Sequence, residues 1–419
     1  MLVSTVTFLL ITIVPTLAQP QKTEPPPSEA VTSFVPLNAA YLHYACDLPY
    51  FSTDPAKSPT TLHVMNTDSF STTIKLLLWD STGGTMGNER ALITHTLPAL
   101  GSTIIPSEEI SAALSTGVIT GTGYVESNNL AHIACLVKNT PGEGSPNYLS
   151  AYTPTPYATN NILFPWIGSP DANLKPLLYI YNASDSQDIP LIELYANEQI
   201  TTTNPTIPPH GVLVYDPEDH GLDVMAGEVG AVRIYNATMP FVGYMALVDA
   251  QGVPAETWPA VPDDTSSYYT ATAIPRVLHK TDGIQSDIWL LQKDTGGTEN
   301  TTIAYHRSGD GESLGDLSLT LEPFQPTKVP SVPMDAWSNA VFSHTDMGEH
   351  VGVIINGIAG SPIGTDIDGY PILNPEYGEG TRFYLPAVHR YPTHVTSYIA
   401  HNPHDTVITA TLTIYNKKG

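Results

Sequence analysis

Positive charge is scarce in this chain: 16 Lys and Arg stand against 41 Asp and Glu over 419 residues, for a formal net charge of −25. A surface that acidic repels phosphate backbones and anionic lipid headgroups, which argues against nucleic acid as a partner. Charge of any sign is also sparse, at 14% of residues. The Lys/Glu/Ala/Leu runs that surface helices favour are therefore missing. There are only two cysteines, so no disulfide-dense miniature scaffold is possible. Beyond the N-terminus no run approaches the ~18 apolar residues that cross a bilayer as a helix. The Gly-x-Ser-x-Gly elbow, the His-Glu-x-x-His helix and the phosphate-cradling glycine loop are all absent. The sequence offers no catalytic residues, and the expectation is that the protein is not an enzyme.

What is present begins with "MLVSTVTFLLITIVPTLAQP", an apolar core from Val6 to Val14 followed by the small-residue step Thr16-Leu17-Ala18. This reads as a secretory signal over residues 1–18, although no Lys or Arg precedes the apolar core. The expected location is extracellular, with association to a cell surface as one form of it. Residues 19–38, including "QPQKTEPPPSEA", suit an extended Pro-rich linker.

The remainder is self-similar. An apolar residue followed by proline recurs at Leu48-Pro49, Phe164-Pro165, Ile274-Pro275 and Leu385-Pro386, at intervals of about 110 residues. Some 16 to 19 residues after each proline an apolar stretch closes on a polar residue: Asn66, Asn182, Asp294 and Asn402. A second alternating run follows each time, as in "TTIKLLLWD", "IPLIELYAN", "TTIAYHRSG" and "ITATLTIYN". Alternation puts one strand face in a core and the other outward, and Asn or Asp ends a strand by bonding its own backbone. About seven such runs per repeat predict an all-β chain of tandem antiparallel β-sandwiches. The expected division is 39–156, 157–266 and 267–380 for three complete units and 381–419 for a partial fourth. Each unit is long enough to bury its own core, so they are expected to be strung together as beads.

The Pro step, the strand ending in Asn, and stretches such as "LYIYNASDSQDIPLIELY" give the unit its resemblance to immunoglobulin-like or fibronectin-like repeats of secreted bacterial surface proteins. The resemblance implies a stalk, adhesin or envelope component, with other surface or matrix proteins or glycans as partners. The leading functional expectation is a non-catalytic structural or adhesive surface protein. Its alternatives are a carbohydrate-binding protein using exposed aromatics, and an accessory repeat region of a larger secreted enzyme. Self-association through an open C-terminal edge is a further expectation, because unpaired strands recruit strands in trans.

Individual residues add little chemistry. Cys46 and Cys135, near the first and last strands of unit one, are expected to form a disulfide closing a loop of about 90 residues. Asp294-Thr295-Gly296 resembles an aspartic-protease loop but fills a turn slot. His389, His394, His401 and His404 lack the spacing that aims two imidazoles at one metal. Asp366 and Asp368, and Asp310 with Glu312, are candidates for calcium, but the twelve-residue calcium loop is absent and turns are the simpler reading. No other cofactor is indicated. Asn182, Asn236 and Asn300 head glycosylation triplets. Tyr179/Tyr181 and Tyr268/Tyr269 are aromatic pairs that could stack on sugars, with packing as their default role.

Overall fold

The computed structural model describes residues 44–358 apart from 56–58, 115–119, 140–149, 153–158, 170–172, 236, 264–270, 278–283, 294–296, 308–311, 331–337 and 345–349. Beyond these it describes 368–372, 390–391, 394–395, 409, 411 and 413–414. The chain is all-β, as the alternation predicts. Residues 45–152 form β1 (Ala45–Ser52), β2 (Thr60–Asn66), β3 (Thr72–Asp80), β4 (Ala91–Leu97), β5 (Ser102–Ile105), β6 (Thr120–Ser127), β7 (Ile133–Asn139) and β8 (Ser150–Tyr152). Residues 162–262 form β9 (Ile162–Ile167), β10 (Lys175–Asn182), β11 (Leu191–Ala196), β12 (Gln199–Thr203), β13 (Val212–Tyr215), β14 (Gly230–Tyr235), β15 (Phe241–Val248), β16 (Pro254–Pro259) and β17 (Val261–Pro262). Residues 271–372 form β18 (Ala271–Val277), β19 (Ile284–Gln292), β20 (Glu299–Arg307), β21 (Ser313–Leu321), β22 (Thr327–Lys328), β23 (Ser338–His344), β24 (His350–Ile358) and β25 (Asp368–Ile372). A two-residue-strand hairpin, β26 (Arg390–Tyr391) with β27 (His394–Val395), is what is described of the fourth segment.

The strand order is the same three times. One sheet runs β1-β6-β3-β4, β9-β14-β11-β12 or β18-β23-β20-β21, with β17 added outside β9 in the second case. The other runs β5-β2-β7-β8, β13-β10-β15-β16 or β22-β19-β24-β25. Strand pairs are antiparallel throughout these sheets. Inward side chains of the two sheets meet in a core. In the first sandwich Leu62 and Val64 of β2 and Val137 of β7 face Leu76 and Leu78 of β3 and Val125 of β6. In the second, Leu178, Ile180 and Leu247 face Ile192, Leu194 and Val232. In the third, Ile288 and Leu290 face Ile303, Tyr305 and Leu321. Each such side chain contributes about 1.5–3 kcal/mol of burial.

The recurring proline step has a structural cause. Register shifts fall between Leu48 and Phe51, between Phe164 and Ile167, and between Ile274 and Val277, so these three first strands each carry a bulge at the proline, while Leu385-Pro386 lies outside the described residues. Proline cannot donate to a ladder and is tolerated where pairing lapses. The strand-ending asparagines also act alike. Buried Asn66 donates to the carbonyls of Phe70 at 2.6 Å and Pro98 at 2.9 Å, and accepts from the Asp68 N–H. Buried Asn182 donates to Ser186 at 2.7 Å and Pro208 at 3.2 Å, and accepts from the Ser184 N–H. Each amide thus ties the loop after its strand to a distant turn. In the third sandwich this position is Gln292, which donates to Gly297 O at 2.8 Å, two residues earlier than the Asp294 that spacing indicates. Asp294 itself lies outside the described residues.

The turn held by these amides recurs as well. Pro98-Ala99-Leu100-Gly101, Pro208-Pro209-His210-Gly211 and Glu322-Pro323-Phe324-Gln325 each close a hydrogen bond from the fourth residue to the first carbonyl, at 3.1, 3.1 and 3.2 Å. The third residue is left-handed in all three, with φ of 55°, 47° and 54°. Non-glycine residues rarely adopt that geometry without a reason. Here the reason is where the side chain goes.

Candidate functional site at the joints between sandwiches

The hydrophobic clusters do not stop at sandwich boundaries. Tyr179, Tyr244, Ala246 and Val248 of the second sandwich belong to the same cluster as the core of the first. Val353 of the third joins the cluster of the second, with Trp289 packed against it. A further cluster combines Leu163, Ala231 and Val261 with Leu291, Phe324 and Val351. The expectation of separate beads therefore gives way to sandwiches that bury apolar surface against each other. The alternating pattern concealed this, because an outward residue facing a neighbour and one facing water occupy the same parity.

The two joints use equivalent positions. The residue after the proline of each first strand meets the outward aromatic of the next sandwich's second strand. Tyr50 lies 4.6 Å from Tyr179, and Trp166 lies 6.0 Å from Trp289. Tyr179 stacks in turn on its cross-strand partner Tyr244, centroids 4.6 Å apart. Across the sheet from each bulge, an outward residue receives the left-handed turn residue of the next sandwich. His210 stacks on Trp79 at 4.2 Å and 8°, and Phe324 stacks on Tyr195 at 4.6 Å and 17°.

The first joint is polar around its stack. Burial together with nearby Asp47, Tyr124 and Asp185 drives the Tyr181 hydroxyl well above its usual range, so it keeps its proton. That hydroxyl donates to His210 Nδ1 at 2.7 Å, leaving Nε2 to face Asp185 Oδ1 at 3.4 Å. Desolvation lowers the His210 pKa, which keeps the ring neutral. Thr122 donates to the His210 carbonyl at 2.5 Å, Gly84 N–H donates to Pro209 O at 2.7 Å, and Met86 N–H donates to Asp185 Oδ1 at 2.6 Å. Backbones approach so closely that a Cβ on Gly83, at φ +74°, would sit 2.1 Å from Pro209 O. Beneath the joint, Asp47 has one carboxylate oxygen shielded from solvent without a hydrogen bond, and burial pushes its pKa up to about 7.

The second joint is ionic. Asp263, 1% exposed, accepts from Arg233 Nε and lies 3.6 Å from Lys293 Nζ of the third sandwich. The Arg233 guanidinium also sits over the rings of Tyr235 at 4.7 Å and Phe324 at 5.1 Å. Tyr195 and Tyr235 both donate to Glu193, and burial is the first cause that raises both hydroxyls. A crevice lined by Phe164, Trp166, Met245, Trp258 and Val353 has room for about one water molecule, and the indole N–H groups of Trp166 and Trp258 are buried without partners.

The expected disulfide forms. Cys46 lies in β1 and Cys135 in β7, which belong to opposite sheets, so the bond crosses the core with Cα atoms 6.4 Å apart. Tyr179 and Tyr181 both pack, as expected, but on the outward face of their sheet, against the first sandwich. Asn182 is fully buried, which removes it as a glycosylation acceptor in the folded chain, whereas Asn300 is exposed. Asn236, Asp310, Asp366, His389, His401, His404, Tyr268 and Tyr269 lie outside the described residues. Asp368 opens β25 opposite Asn356, and His394 opens β27, with their side chains outside the description. Glu312 pairs with Arg307. Among the described residues no three His, Cys, Asp or Glu side chains gather as a metal would require, and no helix is long and apolar enough to cross a membrane. No protein-family model matches the chain, and no curated protein matches it.

Proposed function

We propose that this chain is a non-catalytic extracellular structural or adhesive protein, in which tandem immunoglobulin-like sandwiches form a stiff spacer that holds a surface away from its anchor. The observation that carries the reading is the equivalence of the two joints: Tyr50 on Tyr179 and Trp166 on Trp289, Trp79 under His210 and Tyr195 under Phe324. Desolvated aromatic contacts of this kind suppress relative motion of neighbouring units, which a spacer requires and a flexible tether does not. The export-type N-terminus and the Pro-rich stretch after it support the same reading. Among the described residues the exposed aromatics are Tyr44 and Phe70, and the tryptophans and most tyrosines are spent inside cores and joints. That distribution favours a spacer over a sugar-stacking platform.

The test has two arms. Cell fractionation with mass spectrometry is expected to find the protein outside the cell, beginning at Gln19; an uncleaved protein retained inside removes the extracellular part. Small-angle scattering of the purified protein is expected to give one sharply defined maximal dimension that salt leaves unchanged. A broad distribution, as from freely jointed units, removes the spacer.

A further inference from the structure

The outward face of each β5-β2-β7-β8-type sheet is shielded in one pattern. In the second sandwich Tyr181 is buried and Tyr179 is 8% exposed, because the first sandwich lies over them, while Val214, opposite Tyr179, stays 48% exposed. The third sandwich repeats this: Leu291 is buried at the joint, and Lys328, opposite Trp289, is exposed. The corresponding residues of sandwich one are Met65 and His63, counted back from Asn66 as Tyr181 and Tyr179 are from Asn182. They are 8% and 4% exposed, and Ile104, opposite His63, is 50% exposed. Among the described elements, β10 packs against β1 of the sandwich before it and β19 against β9, whereas the principal contacts of β2 are with β5 and β7 of its own sheet. The footprint of a joint therefore lies on a face over which no described sandwich stands.

At both internal joints the cover is the part of the chain that comes just before the covered sandwich. The chain enters sandwich two at a fixed corner, where Thr159 pairs with Phe241, the residue opposite Asn182. Tyr44 enters sandwich one at the same corner. Its carbonyl accepts from the Ser127 N–H at 2.8 Å, and its ring stacks on His132 at 5.3 Å, next to Ile133, the residue opposite Asn66. The chain leading into Tyr44 thus arrives beside the end of β2 that carries Met65. That chain is suited to cover it: from Ala30 to Cys46 there is no Asp, Glu, Lys or Arg, and Phe34, Val35, Leu37, Tyr41 and Leu42 lie within it. At about 3.3 Å per residue, a few of these residues reach from Met65 past His63. We propose that residues 30–43 lie across the outward face of the β5-β2-β7-β8 sheet, over Met65 and His63, as an intramolecular cap in the place of a preceding sandwich. The Pro-rich linker then ends near Glu29, short of the residue 38 that composition suggests. Stacked repeats close their ends with atypical elements of this kind, and without one the His63–Met65 face is an apolar patch open to another copy.

Photo-crosslinking in the full chain tests this. His63→benzoylphenylalanine puts a reactive aromatic where Tyr179 and Trp289 stand in the other sandwiches, so the position accommodates it. The expected product, mapped by mass spectrometry, joins position 63 to a residue between 30 and 43 of the same chain. Crosslinks to residues 140–149, to 381–419 or to a second copy overturn the proposal. Methionine oxidation gives an independent reading, with Met245, 2% exposed, as the slow standard and Met86, 37% exposed, as the fast one. Met65 is expected to match Met245 in the native chain. In the combined variant Phe34→Asp, Leu37→Asp and Leu42→Asp it is expected to oxidise at least about tenfold faster, towards the Met86 rate. Met245 stays slow in that variant if the sandwiches remain folded. Met65 that stays protected there overturns the cap. Neither readout depends on where the protein is found or on how stiff it is, so the cap can fail while the spacer reading stands.

Discussion

The two joints solve one problem with opposite chemistry. At the first, a neutral imidazole lies flat on Trp79, and hydrogen bonds from Tyr181, Thr122, Gly84 and Met86 fix the loops around it. At the second, a hydrophobic ring takes the imidazole's place and a buried Arg233–Asp263–Lys293 cluster supplies the polar contacts. The backbone positions are the same, so geometry is set by strand order, bulge and left-handed turn. Side chains then decide how strongly each joint depends on solution conditions.

The sharpest way to break the second joint is Asp263→Ala, which removes the buried carboxylate that both Arg233 and Lys293 face. A loss of about 3–5 kcal/mol is expected, read by denaturant unfolding of the third sandwich relative to the first. The first sandwich has a different reinforcement, and reducing the Cys46–Cys135 bond is expected to cost it about 2–4 kcal/mol while leaving the second joint unmoved. Asn66→Ala and Asn182→Ala each remove the buried amide that clasps a loop carbonyl, of Phe70 or Ser186, to the left-handed turn, and are expected to cost about 1–3 kcal/mol. Near-equal losses would show that the clasp matters independently of whether its turn is docked.

The smallest effect is in pH. Asp47, raised to about 7 from 3.8, contributes stability that is full below the lower value and is lost as pH rises through the upper one. His210 runs the other way: its pKa is lowered from 6.5, so stability is lost as the pH falls below that value. Between pH 5 and 6.5 the two slopes therefore oppose each other in the melting temperature of the native protein. Asp47→Asn is expected to remove one of the opposing slopes, leaving a protein that weakens only on acidification. A variant whose profile overlays the native one would show that neither group titrates differently on folding.

Much of this was legible in the residues. Alternation in "TLHVMN" and "TTIKLLLWD" gave β2 and β3, because strand parity is written directly in polarity. The proline steps were visible as landmarks, but the bulge they create depends on the partner strand's register, which no local pattern encodes. The joints were the least readable part. Tyr179 and Leu178 are both buried, yet one faces a neighbour and the other its own core. Their neighbours in sequence do not separate the two cases. The one hint was the unbroken apolar and aromatic run from Leu177 to Tyr181, where a half-solvated strand would have shown a polar outward residue.

Three sandwiches with the same strand order on one polypeptide invite a particular folding error, in which a first strand inserts into the wrong copy during synthesis. The proline in each of those strands interrupts the row of N–H groups such an exchange would need, and β1 and β18 lie at sheet rims where intruding partners arrive. Pro49, Pro165 and Pro275 would each obstruct such an exchange, and Pro49 and Pro165 also set the bend on which the two joints are built.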